Sequence, residues 1–347
     1  MTLPNLVFAT IWAAFTIYIV LGGADFGGGV WDLLASGPSA KRQRQAIVTA
    51  MGPVWEANHV WLIFVIVGLF TNFPGAFVAL SVALFVPFTL VLVGIVLRGA
   101  SFAFRAHAAE AVRLSAVWGR VFGIASTFTP VVLGTCAGAV TTGRIRVHGD
   151  IVAADLMGVW TGPFSLLCGA LALAICAHVA AIFLCVEAGD VGDVELAASF
   201  RQRALAAGLV GGVLALGGLV LARTDAPILW SGLAGKALGL VILSAGLALV
   251  ANGVLLRRRY RLARILVVAQ VTIMLAAWAY AQAPYLIIPD VTITSAASPS
   301  ASMAAFSIAT AVGGVLLLPS LWYLLRVFKG QNPAAVRIAD HVPTTHS

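Results

Sequence analysis

The sequence predicts an all-α polytopic membrane protein, and three observations predict it. Of 347 residues, 61% are hydrophobic and 10% are charged, whereas a soluble domain carries about 25% charged residues. The mean hydropathy is +1.01, and apolar runs recur that are long enough, as helices, to cross about 30 Å of hydrocarbon. Those runs are continuous and lack the period-two alternation of a spanning β-strand.

Nine spans are expected, at roughly 5–23, 53–72, 76–98, 116–140, 158–186, 204–222, 231–255, 263–281 and 303–325. The first leads into GGADFGGGVWDLL, and the second opens with GPVWEANHVWLIF. The third ends at Arg98, the fifth holds His178, and the seventh runs into RRRYR. Nine crossings put the termini on opposite sides. The loops after spans 1, 3, 5 and 7 and the C-terminal tail carry sixteen of the 21 basic residues, and Arg120 makes a seventeenth. Arg144, Arg146, Arg223 and Lys236 fall on the other side. The positive-inside rule therefore puts the N-terminus outside and the C-terminus in the cytoplasm. The formal charge of +8 reads as an orientation signal, not as a nucleic-acid surface.

Residues 1–329 read as a single transmembrane domain, and 330–347 as a soluble, disordered tail. The outside loops 141–157 and 282–302 are polar and expected to be ordered only by packing. No internal repeat stands out. The N-terminus lacks a basic n-region, so no cleavable signal is expected. Cys136, Cys168, Cys176 and Cys185 lie in or near apolar runs without a CxxC pair. They read as small core residues, not as disulfides or metal ligands.

A charged residue at the centre of a span costs roughly 2.5–3.5 kcal/mol on insertion scales, so it needs a partner or a role. Asp25 and Asp32 are seven residues apart, on one face of a continuing helix. Together with Glu56 and Arg98 they gather toward the cytoplasmic side. Asp32 and Arg98 also suit plain interface anchoring. Glu56 sits between Trp55 and Ala57 with no basic residue within a turn, as a proton carrier would. Glu56 and His59 have the Glu-x-x-His spacing of di-iron bundles, which need two copies; this chain has one. His59 and His178 are candidate axial haem ligands, with a structural histidine as the plainer reading. The glycines of GGADFGGG have neither the preceding strand nor the following lysine of a phosphate loop, and they suit close helix packing.

GADFGGGVWDLL, GPVWEANHVWLIFVIVGLFTNFP and VPFTLVLVGIVLRGASFAFR, in this order and spacing, resemble subunit II of cytochrome bd-type quinol oxidases, closest to the shorter, cyanide-insensitive branch. The resemblance is dense over residues 1–130 and looser to about 330, through WAYAQAPYLIIPDVTI. It implies two four-helix bundles plus one extra helix. It also implies no catalytic residue, no metal and no cofactor in this chain. Haems b and d, or b alone, would sit in subunit I, with quinol as the substrate of the complex. Quinol oxidation would drive four-electron reduction of O2 to water in the bacterial plasma membrane. Subunit I is the implied partner, with small single-span subunits and membrane lipid around it. Glu56 matches a family acid, often Asp, assigned to a proton path from the cytoplasm, and Asp25 and Arg98 extend that path or pair with each other. Trp61 matches a tryptophan at the mouth of an O2 route. His59 receives no role. A secondary transporter is the alternative; it should show a broken helix in each of two related halves, which the sequence does not display. A haem protein in its own right is a third reading.

Overall fold

In the computed structural model, residues 2–107, 112–149 and 151–330 are described. The side chains of 51–57, 102, 105–107, 112–115, 318, 321, 322 and 324–330 are not. The elements are, in chain order, α1 (Leu3–Leu33), α2 (Ala40–Asn72), α3 (Pro74–Ala83), α4 (Phe85–His107), α5 (Val112–Thr141), β1 (Arg146–His148), β2 (Ile151–Ala153), α6 (Gly158–Thr161), α7 (Pro163–Asp190), α8 (Val194–Asp225), α9 (Pro227–Ala234), α10 (Leu238–Leu256), α11 (Tyr260–Gln282), β3 (Tyr285–Ile287), β4 (Val291–Thr292) and α12 (Ser300–Gly330). The chain divides into two compact units, Met1–Ala297 and the remainder. In the second unit α12 is a single helix of 31 residues with Pro319 inside it.

Each of the nine expected spans contains a helix, but the boundaries differ in instructive ways. Among the described residues, seven helices are long and apolar enough to cross a membrane. An eighth candidate joins Asn58–Asn72 to Pro74–Ala83 across a bend of 117°. The segment expected as one span at 76–98 is broken at Leu84, and its Phe85–Ser101 part is a shorter apolar helix. The first helix does not stop near residue 23. It continues through the glycine run to Leu33, because those glycines face other helices at very short range. A Cβ on Gly27 would stand 2.0 Å from the Cys176 carbonyl oxygen, and one on Gly29 would stand 2.2 Å from the Ser126 side chain. Neither loop is held by packing alone: β1 and β2 form an antiparallel hairpin, and so do β3 and β4. Asp290 joins the two loops by accepting from Arg146 Nε at 2.8 Å and from the Val147 backbone at 2.9 Å. The tail beyond Gly330 lies outside the described residues.

The element order repeats within the first unit. Two long helices end at an X-Pro break, a short helix follows, two more long helices come next, and a small hairpin closes the series. The series α1 to α5 with β1–β2 is followed by α7 to α11 with β3–β4. The breaks share a conformation: Phe73 has φ −135°, ψ 58° and Ala226 has φ −141°, ψ 60°, each just before a proline that opens the short helix. A residue before proline is pushed out of the α region, which ends the preceding helix. Within the first series α1 packs on α2 and α5, and α4 on α5. Within the second, α7 packs on α8 and α11, and α10 on α11. α7 is the joint, packed on both α1 and α5. Its Ala, Gly and Cys residues let neighbouring backbones approach, and Ala180, Ala181, Ile182 and Cys185 are fully buried.

Ion pairs place the connections at two ends. Arg42 pairs with Asp193 and Arg261 with Asp190, so the α1–α2, α7–α8 and α10–α11 turns share one end. At the other end lie the hairpins, and Lys236 donates there to the Ala283 carbonyl.

Candidate functional site

Four helices converge on one buried polar cluster. α1 supplies Asp25, α2 Asn58, α4 Arg98 and α5 Ser126, and all four are at most 3% exposed. Arg98 Nη2 forms an ion pair with Asp25 Oδ1. Asp25 Oδ2 accepts from Asn58 Nδ2 at 3.2 Å. Arg98 Nε donates to Ser126 Oγ at 3.0 Å, and its guanidinium lies 4.8 Å from the Phe26 ring centre and 5.1 Å from that of Phe122. Gly29 makes this reach possible, because any side chain there would overlap Ser126.

Removing an ion from water costs several kcal/mol even after relaxation, and the attraction within the pair repays it only with good geometry and further hydrogen bonds. This site supplies both, together with ring faces that attract a desolvated cation by up to about 2 kcal/mol. One atom stays unmatched: Asn58 Oδ1 is buried without a partner. An orphaned acceptor beside a buried carboxyl is where a buried water would donate a hydrogen bond.

The predicted residues fare differently. Asp25 and Arg98 are brought together. The side chain of Glu56 lies outside the described residues; only its place within α2 is given. Trp61 is half-buried on α2, about one turn beyond Asn58. On the same helix face, Val65 and Leu69 line an apolar cavity of about 160 Å³ together with Trp12, Phe15, Trp278 and Tyr285. Asp32 is buried on α1, where its backbone carbonyl accepts from Arg44 Nε at 3.4 Å. His59 is half-buried. Asn58 and Ser126 were not singled out as site residues; an amide within an apolar run next to Glu56 was the available signal for the first, and Ser126 offered none.

His178 is held by backbone. Its Nδ1 donates to the Ala204 carbonyl at 2.8 Å. The α8 backbone packs closely against it: a Cβ on Gly208 would stand 2.8 Å from His178 Cε1. Among the described residues no three His, Cys, Asp or Glu side chains converge as metal ligands would.

Comparison with known proteins identifies the family and the fold of the chain. The family model described as cytochrome bd terminal oxidase subunit II matches residues 3–328. A Bacillus subtilis (strain 168) protein, named by inference as a cytochrome bd menaquinol oxidase subunit II, is 24% identical over 326 residues, covering 92% of this chain and 93% of its own. A cytochrome bd ubiquinol oxidase subunit 2 of the same organism is 25% identical over 228 residues, covering 65% of this chain and 64% of its own. The solved structure of bd oxidase from Geobacillus thermodenitrificans has a chain with the same fold: TM-score 0.75 at 23% identity, covering 96% of this chain and all of that one.

Proposed function

From the premise that this chain belongs to the cytochrome bd terminal oxidase subunit II family, we propose that its buried Asp25–Arg98 cluster carries protons toward a redox centre in subunit I. The chain is a subunit of a membrane quinol oxidase, an oxidoreductase complex of the bacterial respiratory chain. In this reading haems b and d, or b alone, reside in subunit I and supply the electron transfer to O2, and no catalytic residue or cofactor resides here. Nine spans, with the N-terminus outside, put the α1–α2 and α10–α11 turns in the cytoplasm.

The carrying observation is the fully buried pair of Asp25 and Arg98, with Asn58 presenting an unmatched oxygen beside it. A guanidinium does not give up its proton in a protein, whereas a carboxyl group has both an acid and a base form. Asp25 is therefore the member that hands protons on, Arg98 supplies a fixed opposite charge, and Asn58 and Ser126 hold the two in register. Glu56, two residues before Asn58, is the cytoplasmic-side carrier that feeds the pair. Trp61 opens an apolar O2 route, and the cavity bounded by Val65 and Leu69 continues it on the same helix face.

The experiment uses the purified complex with subunit I. Glu56→Gln and the joint replacement of Asp25 by Leu and Arg98 by Met, which leaves no unpaired buried charge, are each expected to slow quinol-driven O2 consumption at least tenfold while the reduced-minus-oxidised haem spectrum keeps its amplitude. Full turnover in both would remove the proton-path role.

One observation speaks for the transporter alternative. The breaks at Phe73–Pro74 and Ala226–Pro227 are the paired broken helices that such a protein should show. Yet Phe73, Ala76, Ala226 and Leu229 at those breaks are buried hydrophobic residues, with Asn72 a buried polar neighbour at the first, and the family assignment covers both halves.

A further inference from the structure

At the end of the molecule that holds the α1–α2, α7–α8 and α10–α11 turns, the basic residues fall into two groups. Arg42 pairs with Asp193 and Glu195, Arg261 with Asp190, and Arg264 lies 3.7 Å from Glu187. These contacts engage the four carboxylates of the α7–α8 turn. Arg257, Arg258 and Arg259, consecutive in the α10–α11 turn, have no carboxylate among the described residues and are all exposed. Arg201 stands beside them on α8, with Nη1 donating to the Leu256 carbonyl at 3.5 Å and Nε buried without a partner.

Two further features separate this turn from a simple orientation signal. Arg258 has φ 60° and is the one non-glycine residue with positive φ among the described residues. That is a conformation glycine adopts freely and a long side chain does not. The turn thus keeps a cation where the backbone would favour none. Next to it, Leu249, Val250 and Leu256 of α10 and Ile265 of α11 are more than half exposed, an aliphatic surface running away from the charged turn.

We propose that the α10–α11 turn is a binding site for the headgroup of an anionic glycerophospholipid. Arg257, Arg258, Arg259 and Arg201 bind its phosphate, and the exposed α10–α11 surface takes its acyl chains. Arginine suits this role because its planar fork pairs with two phosphate oxygens at once, and basic clusters just beyond a spanning helix recognise anionic headgroups.

The test is native mass spectrometry of the complex with subunit I, titrated with phosphatidylglycerol or phosphatidylcholine of identical acyl chains. Phosphatidylglycerol is expected to be retained at least tenfold more tightly. The triple variant Arg257→Gln, Arg258→Gln, Arg259→Gln should bring that preference below twofold with the haem spectrum unchanged. Arg258→Gly removes one charge while relaxing the backbone, so it should weaken the preference without lowering Tm; this keeps the test valid if the triple variant fails to assemble. Equal retention of the two lipids, an undiminished preference in Arg258→Gly, or complete displacement of the lipid by inorganic phosphate alone would overturn the proposal.

Discussion

The two repeats use the same scaffold for different interiors. In the first, α1 carries Asp25, α4 carries Arg98, and an ion pair joins them. In the second, the corresponding places hold His178 on α7, 153 residues later, and Asn252 on α10, 154 later. These two meet near Gly208: a Cβ there would stand 2.8 Å from His178 Cε1 and 2.9 Å from Asn252 Oδ1. Each is tied to backbone, His178 to the Ala204 carbonyl and Asn252 to the Ala248 carbonyl of its own helix. Two long helix pairs with an X-Pro break therefore pack without a buried charge pair. Since well-packed apolar residues often replace a buried ion pair at no loss, its presence in one repeat only argues for a chemical role.

The largest effect should come from breaking the pair in the first repeat. Arg98→Ala leaves the Asp25 carboxylate uncompensated, at a cost of about 3–5 kcal/mol, and is expected to abolish recovery of the haem-loaded complex. The joint replacement of Asp25 by Leu and Arg98 by Met should restore recovery and Tm while O2 consumption stays at least tenfold down. Restored turnover in that double variant would reduce the pair to a structural device.

Helix contacts sharpen the comparison next. Gly27→Ala forces a methyl into the Cys176 backbone where α1 meets α7, and overpacking of this kind costs about 1–3 kcal/mol. Gly246→Ala on α10, with open space around it, should leave Tm within about 1 °C. Thermal melts of the complex followed by haem absorbance would show whether the α1–α7 seam is as tight as its glycines imply.

A smaller effect is expected in the second repeat. His178→Gln keeps a donor toward Ala204 and should change turnover by less than twofold at every pH between 6 and 8. A loss of activity there as steep as that of the Asp25→Leu, Arg98→Met double variant would make the two interiors functionally alike and end the contrast.

The smallest effect concerns the loops beyond the spans. The Arg146 guanidinium beside Asp290 holds its carboxyl below the usual carboxylate range. A depressed folded-state value means that the stabilisation is present above the unfolded-state value and is lost as pH falls through the folded one. The tie between the two hairpins should therefore be intact at neutral pH and weaken below about pH 4, where carboxylates ordinarily begin to protonate. Proteolysis at 146–153 should become faster in that acid range, and Asp290→Asn should be cleaved at a pH-independent rate.

Much of this was legible before any coordinates, and the gaps have physical causes. Composition and continuous apolar runs reveal membrane helices because lipid leaves the backbone no other partners than its own. The segregation of Lys and Arg agrees with the ends at which Arg42 and Arg261 find their acids. Asp25 and Arg98 were visible as misfits in apolar sequence. Their pairing was open, since 73 residues separate them and a one-dimensional pattern carries no distance. The expected span ended near residue 23 because glycine weakens a helix in water, although the spacing of Asp25 and Asp32 suits a continuing helix; in this bundle glycine is what lets α1 touch α5 and α7. The internal repeat was hidden for a related reason. Lipid-facing positions accept any aliphatic residue, so the two halves need share little sequence beyond their X-Pro breaks.

Residue chemistry alone thus determined that the chain lives in a bilayer, which ends gather its cations, and which acids need an explanation. Only the packed structure decided that Asp25 meets Arg98, that Asn58 and Ser126 complete their shell, and that His178 is enclosed by backbone. Burial, and with it the cost of every unpaired charge, depends on which helices touch, and that depends on many weak contacts summed over distant segments.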